Sequence, residues 1–159
     1  MSDSEKLLSY IAGFLDGDGC LMAQLVKRKG YLYGYQIRLS IVFYQKLQNV
    51  DHLVWLQRYF KKGYLRERKD GMAEYTIVGI KSVAKILTKL RKHLRLKKKQ
   101  SNLLLKIAKI PLKPTPNQFI RFCKLVDESA KYNYSKKRKV TSREVIEFLQ
   151  RHKIIPRND

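Results

Sequence analysis

Apolar residues change their spacing several times along this chain, and each change predicts an element. Leu7, Leu8, Ile11, Ala12, Phe14 and Leu15 recur at helical intervals. They cover more than one face, so the helix they predict must pack on two sides. Ser2 and Glu5 stand at capping-box spacing and place its start near residue 3. Gly13 and Gly17 would let a second backbone come near, although ordinary packing with a C-terminal cap explains the pair equally well. After Gly19 the period falls to two. Leu21, Ala23 and Leu25 alternate with Cys20, Met22, Gln24 and Val26, and Arg28 follows. Residues 31–35 read as a hairpin end. Ile37, Leu39, Ile41 and Phe43 then alternate with Gln36, Arg38, Ser40, Val42 and Tyr44.

A second helix is predicted from about Val50 to Lys61, closed by Gly63, with Trp55 on an apolar stripe and assigned to the core. Residues 64–69 and 73–79 form a second hairpin around Asp70-Gly71, a favoured tight-turn pair. Its core face carries Leu65, Tyr75 and Ile77, and its other face Tyr64, Arg66, Arg68, Glu74, Thr76 and Val78. Val83, Ile86, Leu87 and Leu90 mark a third helix, and Gln100 to Ile110 a fourth that ends at Pro111. Thr115 to Gln118 repeats the capping-box spacing with Pro116 at the first helical position. A short helix with Val145, Phe148 and Leu149 closes the chain. Four strands of one antiparallel sheet with one apolar face require helices over that face, so the class is α+β. The 159 residues read as a single domain with its core over about 5–150.

Composition narrows the function. Lys and Arg number 35 against 13 Asp and Glu, a net charge of +22. Such a charge opposes compaction by self-repulsion and calls for a polyanionic partner. A membrane surface would require a basic amphipathic helix or a lipidation signal, and neither is evident. No apolar run reaches spanning length, and the N-terminus does not read as a secretion signal. Cys20 and Cys123 have no metal-ligand partners at short spacing and read as free thiols in a reducing compartment. His52, His93 and His152 lack ligand spacing, which argues against a zinc nuclease. Nucleic acid is the expected partner.

The polar strand face supplies a reading surface for it. Gln24, Val26, Arg28, Gln36, Arg38, Ser40, Arg66, Arg68, Glu74 and Thr76 fall on that face. Arg pairs with guanine, Gln with adenine, Glu accepts from cytosine, and the methyls of Val and Thr meet thymine. A face selected only for solubility would use more Lys and Glu. A ten-residue strand spans about 33 Å, so one hairpin along the major groove follows about ten base pairs.

The apolar first helix ends in Asp16-Gly17-Asp18-Gly19 and feeds directly into the first of these strands. The stretch YIAGFLDGDG resembles the LAGLIDADG motif of the homing endonucleases, with Tyr10 in place of the usual leading Leu. YQIRLSIVFYQK, GYLRERKDGMAEYTI and LRLKKKQSNLLLKI extend the resemblance over residues 5–150 to the single-motif, homodimeric branch exemplified by algal chloroplast intron enzymes.

That resemblance implies the αββαββα LAGLIDADG fold, with a four-stranded antiparallel sheet, helices on one face and extra C-terminal helices. It implies a homodimer joined through the motif helices, with Ile11, Gly13, Phe14 and Gly17 at the contact. It further implies double-stranded DNA as partner and a metal-dependent staggered double-strand break with 3′ overhangs. Asp18 and the Gly17 carbonyl would hold Mg²⁺, with Mn²⁺ substituting and Ca²⁺ supporting binding without cleavage. Gln45, expected after the second strand, and Lys99 would complete the catalytic set, with Lys97 or Lys98 as the alternative for that lysine. Asp16 would have a structural role at the helix end. The basic run of Lys136, Lys137, Arg138 and Lys139 reads, from its charge, as a phosphate contact at the flank of the site, with a nuclear-import tract as the alternative. An organellar location follows from the same resemblance. A fold-related maturase that binds without cutting is the rival reading.

Overall fold

The computed structural model describes residues 1–133, 138 and 140–158. The first helix, α1 (Asp3–Asp18), starts at Ser2, whose side chain accepts the Glu5 N–H. Its fully buried residues, Ile11, Ala12 and Leu15, occupy one stripe. Chain reversal at Gly30 and Gly34, both at positive φ, joins β1 (Gly19–Lys27) to β2 (Tyr35–Lys46). A 3-10 turn over Leu47–Asn49 leads into α2 (Val50–Phe60), and β3 (Tyr64–Glu67) and β4 (Met72–Val78) form the second hairpin. Then come α3 (Ile80–Leu90), α4 (Lys98–Ile107), α5 (Pro116–Ala130) and α6 (Ser142–Arg151).

The sheet is antiparallel throughout in the order β1-β2-β4-β3. Its registers place Leu21 opposite Ile41, Ile41 opposite Ile77 and Leu65 opposite Tyr75, so one face is continuously apolar. Helices α1, α2 and α3 pack against the central strands, and α4 and α5 against β1. One hydrophobic cluster runs from Ile11 through Leu39, Tyr75 and Leu87 to Leu149. Tyr33 and Tyr35 join it as well: Tyr33 donates its hydroxyl to the Pro114 carbonyl at 2.7 Å, and Tyr35 packs edge-on against Phe148.

Three expectations change. Trp55 is 36% exposed rather than core. Helix α2 buries Leu53 and Leu56 on one stripe, while Trp55 shares the other with His52 and Tyr59, both stacked on it. Helix α4 begins at Lys98 and ends at Ile107, shifted toward the N-terminus from its predicted limits. Gln45 lies inside β2, paired with Ala73, because the ladder to β4 continues to Lys46 opposite Met72.

Gly63 closes the α2–β3 turn at φ +86, where a Cβ would lie 2.4 Å from the Thr76 carbonyl oxygen. The obstacle is main chain, which cannot swing aside. Gly63→Ala is therefore expected to cost about 2 kcal/mol or more of unfolding free energy, measured by urea denaturation.

Candidate active site

Helix α1 carries two stripes. Leu8, Ile11, Ala12 and Leu15 face the protomer's own core, whereas Tyr10, Gly13, Phe14, Gly17 and Asp18 repeat at the same helical spacing on the outside. Ile11 is 0% exposed and cannot serve the intermolecular contact expected of it; Tyr10, 54% exposed, occupies the outer stripe instead. A Cβ on Gly13 or Gly17 would meet nothing within 4 Å among the described residues. Neither glycine is required by the fold around it. Phe14 is half-buried, stacked on Phe43 and edge-on to His52. Exposed Tyr10, Trp55 and Tyr59 continue this face onto α2, linked by Tyr10–Trp55 and Trp55–Tyr59 ring contacts.

The outer stripe ends at Asp18, which is exposed. Its carboxylate has no hydrogen bond or ion pair among the described residues. Asp16, two residues earlier, is engaged: its carboxylate accepts main-chain N–H groups of Arg95 at 2.7 Å, Leu96 at 3.3 Å and Lys97 at 3.0 Å. Lys97 Nζ in turn donates to the Asp16 carbonyl at 2.9 Å. The lysine brought to the motif is therefore Lys97. Lys99 is exposed on α4 and makes no such contact, because Lys97 precedes the helix while the helical twist turns the residues after it elsewhere. Cys20 also feels Lys97: burial raises its thiol pKa, and the nearby ammonium pulls it back.

Gln45 lies in a shallow cleft lined by Tyr10, Phe14, Gln48, Asn49, Asp51 and His52. Its amide oxygen accepts the Lys46 N–H at 3.0 Å. By strand parity it belongs to the helix side of the sheet, on the flank of the outer α1 stripe.

The outer edge of β1 is closed by amides. Arg28 N–H donates to the Gly34 carbonyl, so even-numbered positions of β1 bond to β2 and the Leu21 carbonyl faces outward. Gln100 Nε2 at 2.8 Å and Asn133 Nδ2 at 3.2 Å both donate to it, and Gln100 also donates to Asn133 Oδ1 at 3.0 Å. Sequence patterning gave no sign of this cluster, since Gln100 and Asn133 meet only in the folded chain.

The registers bring the expected reading residues to one face: Gln24 pairs with Arg38, Val26 with Gln36 and Arg66 with Glu74. Gln24, Arg28, Arg66 and Arg68 are exposed there. Arg28 donates to Gln36 Oε1, and Glu74 ion-pairs with Arg66 and Arg68 at 3.5 and 3.3 Å. Ser40 and Thr76 depart from expectation. They are only 1% and 6% exposed, as short side chains in the middle strands, flanked by Met22, Val78, Val42 and Tyr64 in the register. The free protomer offers neither hydroxyl at its surface. Of the basic run, Lys136, Lys137 and Lys139 lie outside the described residues. Arg138 is tied at 2.7 Å to Asp127, which also accepts the Ser142 N–H at the start of α6.

The family model described as LAGLIDADG endonuclease matches residues 11–110. The chain is 35% identical over 144 residues to DNA endonuclease I-CvuI of Chlorella vulgaris, covering 90% of this chain and 89% of the relative. The chain belongs to the LAGLIDADG endonuclease family. It is also 38% identical over 144 residues to DNA endonuclease I-CreI of Chlamydomonas reinhardtii, covering 89% of this chain and 88% of the relative. A crystal structure of I-CvuI with its target in 2 mM Ca superposes with a TM-score of 0.87 at 34% identity, covering 92% of this chain and 94% of that one. The four-stranded antiparallel sheet under its helices is the LAGLIDADG fold.

Gln100, 3% exposed, is the hinge of the β1-edge cluster. Gln100→Leu is expected to leave Asn133 without that donor and to lower stability by about 1–3 kcal/mol, measured by denaturant titration against wild type.

Proposed function

We propose that this protein is a site-specific homing endonuclease that acts as a homodimer on double-stranded DNA and makes a staggered double-strand break with 3′ overhangs. The observation that carries the reading is the outer stripe of α1: two open glycines lead to an exposed carboxylate with no partner among the described residues, in a chain otherwise dominated by cations. An organellar origin follows from the resemblance to the algal intron enzymes.

The glycine pair lies in the last turns of α1, so two copies packed on this stripe approach most closely near their C-terminal ends. That geometry gathers both Asp18 carboxylates and both Gly17 carbonyls beside the two-fold axis. These are hard oxygen donors, and with phosphate oxygens they suit a Mg²⁺-like cation. One protomer alone supplies too few: among the described residues there is no cluster of three acidic, His or Cys side chains. When bound, such a cation supplies Lewis-acid stabilisation of the phosphoryl oxygens and lowers the pKa of its water. I-CvuI has also been crystallised with the I-CreI target in 2 mM Mg, with that DNA uncleaved, which supports divalent cations in the assembly of relatives.

The remaining residues position and neutralise. Lys97 sets a fixed positive charge beyond the end of α1, where negative charge accumulates at a phosphate under attack. Gln45, in the cleft on the flank of the same stripe, has amide N–H groups that could serve the site. The exposed Gln24, Arg28, Arg66 and Arg68, with half-buried Val26, Gln36 and Arg38, read base edges, and the net charge of +22 meets the backbone. Glu74 holds Arg66 and Arg68 until bases replace it. Two copies cover about twenty base pairs of near-palindromic sequence.

Selection of cleavable sites from a randomised DNA library tests the reading. Asp18→Asn is expected to slow cutting by about a thousandfold or more, while target binding in Ca²⁺ stays within a few-fold; undiminished cutting refutes the assignment. Sedimentation at micromolar concentration is expected to give a dimer. Gly13→Leu should shift it to monomer while raising protomer stability by about 1 kcal/mol, because leucine favours helix over glycine.

A further inference from the structure

The motif's two aspartates are treated differently by the fold. Asp18 is exposed, whereas half-buried Asp16 directs both carboxylate oxygens at a segment some eighty residues later. Oδ2 takes the N–H groups of Arg95 and Leu96, and Oδ1 takes that of Lys97. The segment answers through its side chain, since Lys97 Nζ donates to the main-chain oxygen of Asp16 at 2.9 Å.

We infer that Asp16 is a positioning residue for Lys97: its carboxylate clasps the main chain at 95–97 so that the lysine's ammonium is held at the C-terminal end of α1, beside Gly17 and Asp18. The inference rests on the endonuclease reading, in which a cation at that place has a use. A lysine on a four-carbon stem is a poor electrostatic tool unless its backbone is fixed, because the charge otherwise samples many rotamers. Three main-chain donors on one carboxylate fix it. Gln100, three residues on, anchors the start of α4 to the Leu21 carbonyl, immediately after the motif. Lys97 is thus bracketed by one tie to the last turn of α1 and another to the first residues of β1.

The ammonium has a second reason to stay. Helix α1 has no basic residue in its own last turn, so its C-terminal carbonyl charge is met from outside by Lys97. Lys98 and Lys99 are exposed within α4 and make neither contact. Asparagine at position 16 offers one acceptor oxygen, and its NH₂ group would face a main-chain N–H. Half the clasp then opens, without any change in the surface that meets DNA.

A double-mutant cycle over Asp16→Asn and Lys97→Ala tests this, using single-turnover cleavage in Mg²⁺ and target affinity in Ca²⁺. Asp16→Asn alone is expected to slow cleavage by about 10- to 100-fold while affinity changes by less than about threefold. In the Lys97→Ala background the same change is expected to have under about a twofold further effect, because there is no ammonium left to position. Multiplicative losses, or a loss of affinity matching the loss of rate, would mean a purely structural Asp16 and overturn the inference. A second readout needs neither metal nor cutting. The ¹⁵N-ammonium resonance of Lys97 should be observable in the wild-type protein and lost in Asp16→Asn. An unchanged resonance refutes the clasp, even if the protein proves to cut no DNA; failure of the wild type to cut, with the resonance behaving as expected, refutes only the endonuclease reading.

Discussion

One helix has to satisfy two packing surfaces at once, and the rest of the molecule is arranged around that demand. Helix α1 buries Ile11, Ala12 and Leu15 completely against its own sheet. The opposite stripe is left with glycines at Gly13 and Gly17 that none of the described residues crowds. Glycine in a helix interior costs about 1 kcal/mol relative to alanine. Two of them on one stripe make sense where another backbone comes against the helix. The hydrophobic burial on the inner side offsets that cost, so the outer side can be kept for contact and chemistry.

Charge is distributed by the same logic. Acidic side chains are scarce, 13 against 35 basic ones, and most of those near the site have a partner. Asp16 holds main-chain amides, Glu74 holds two arginines, and Asp127 joins Arg138 to the start of α6. Glu144 accepts the Thr141 N–H at the head of α6. Asp18 differs from all of these in facing outward with no such bond among the described residues. In a field of positive charge, an exposed carboxylate at the end of a helix is a place where a cation and a phosphate can meet, because the flanking lysines attract the polyanion and the carboxylate attracts the metal.

The sheet separates the two tasks. Its helix side anchors α1 through Phe14 on Phe43 and carries Gln45 near the outer stripe, while its open side holds the arginines and glutamines. Both edges are guarded. Strand β3 is only four residues long and charged, and β1 is covered at Leu21 by Gln100 and Asn133. The β1 cover also fixes α4 and so contributes to where Lys97 stands, which ties edge protection to the site.

The hydrophobic period was enough to order the elements and to assign faces along β1, β2 and β4, and the capping-box spacings located the caps of α1 and α5, since each of these depends on residues within a few positions of one another. The motif's identity was legible for the same reason. What depends on distant segments was not. Spacing could not say which of Lys97, Lys98 and Lys99 reaches α1, because that is settled by where α4 begins and by the amides that Asp16 binds. Apolar character placed Trp55 in the core, and the family resemblance placed Ile11 at the outer contact, but the rotation of α2 and α1 against the sheet decided otherwise. Alternation put Ser40 and Thr76 on the polar face, yet their burial comes from neighbours on adjacent strands. Local chemistry determined the parts and their faces; only the packing of segments far apart in the chain decided which side chains meet, because helix rotation and strand order are set by the whole core together.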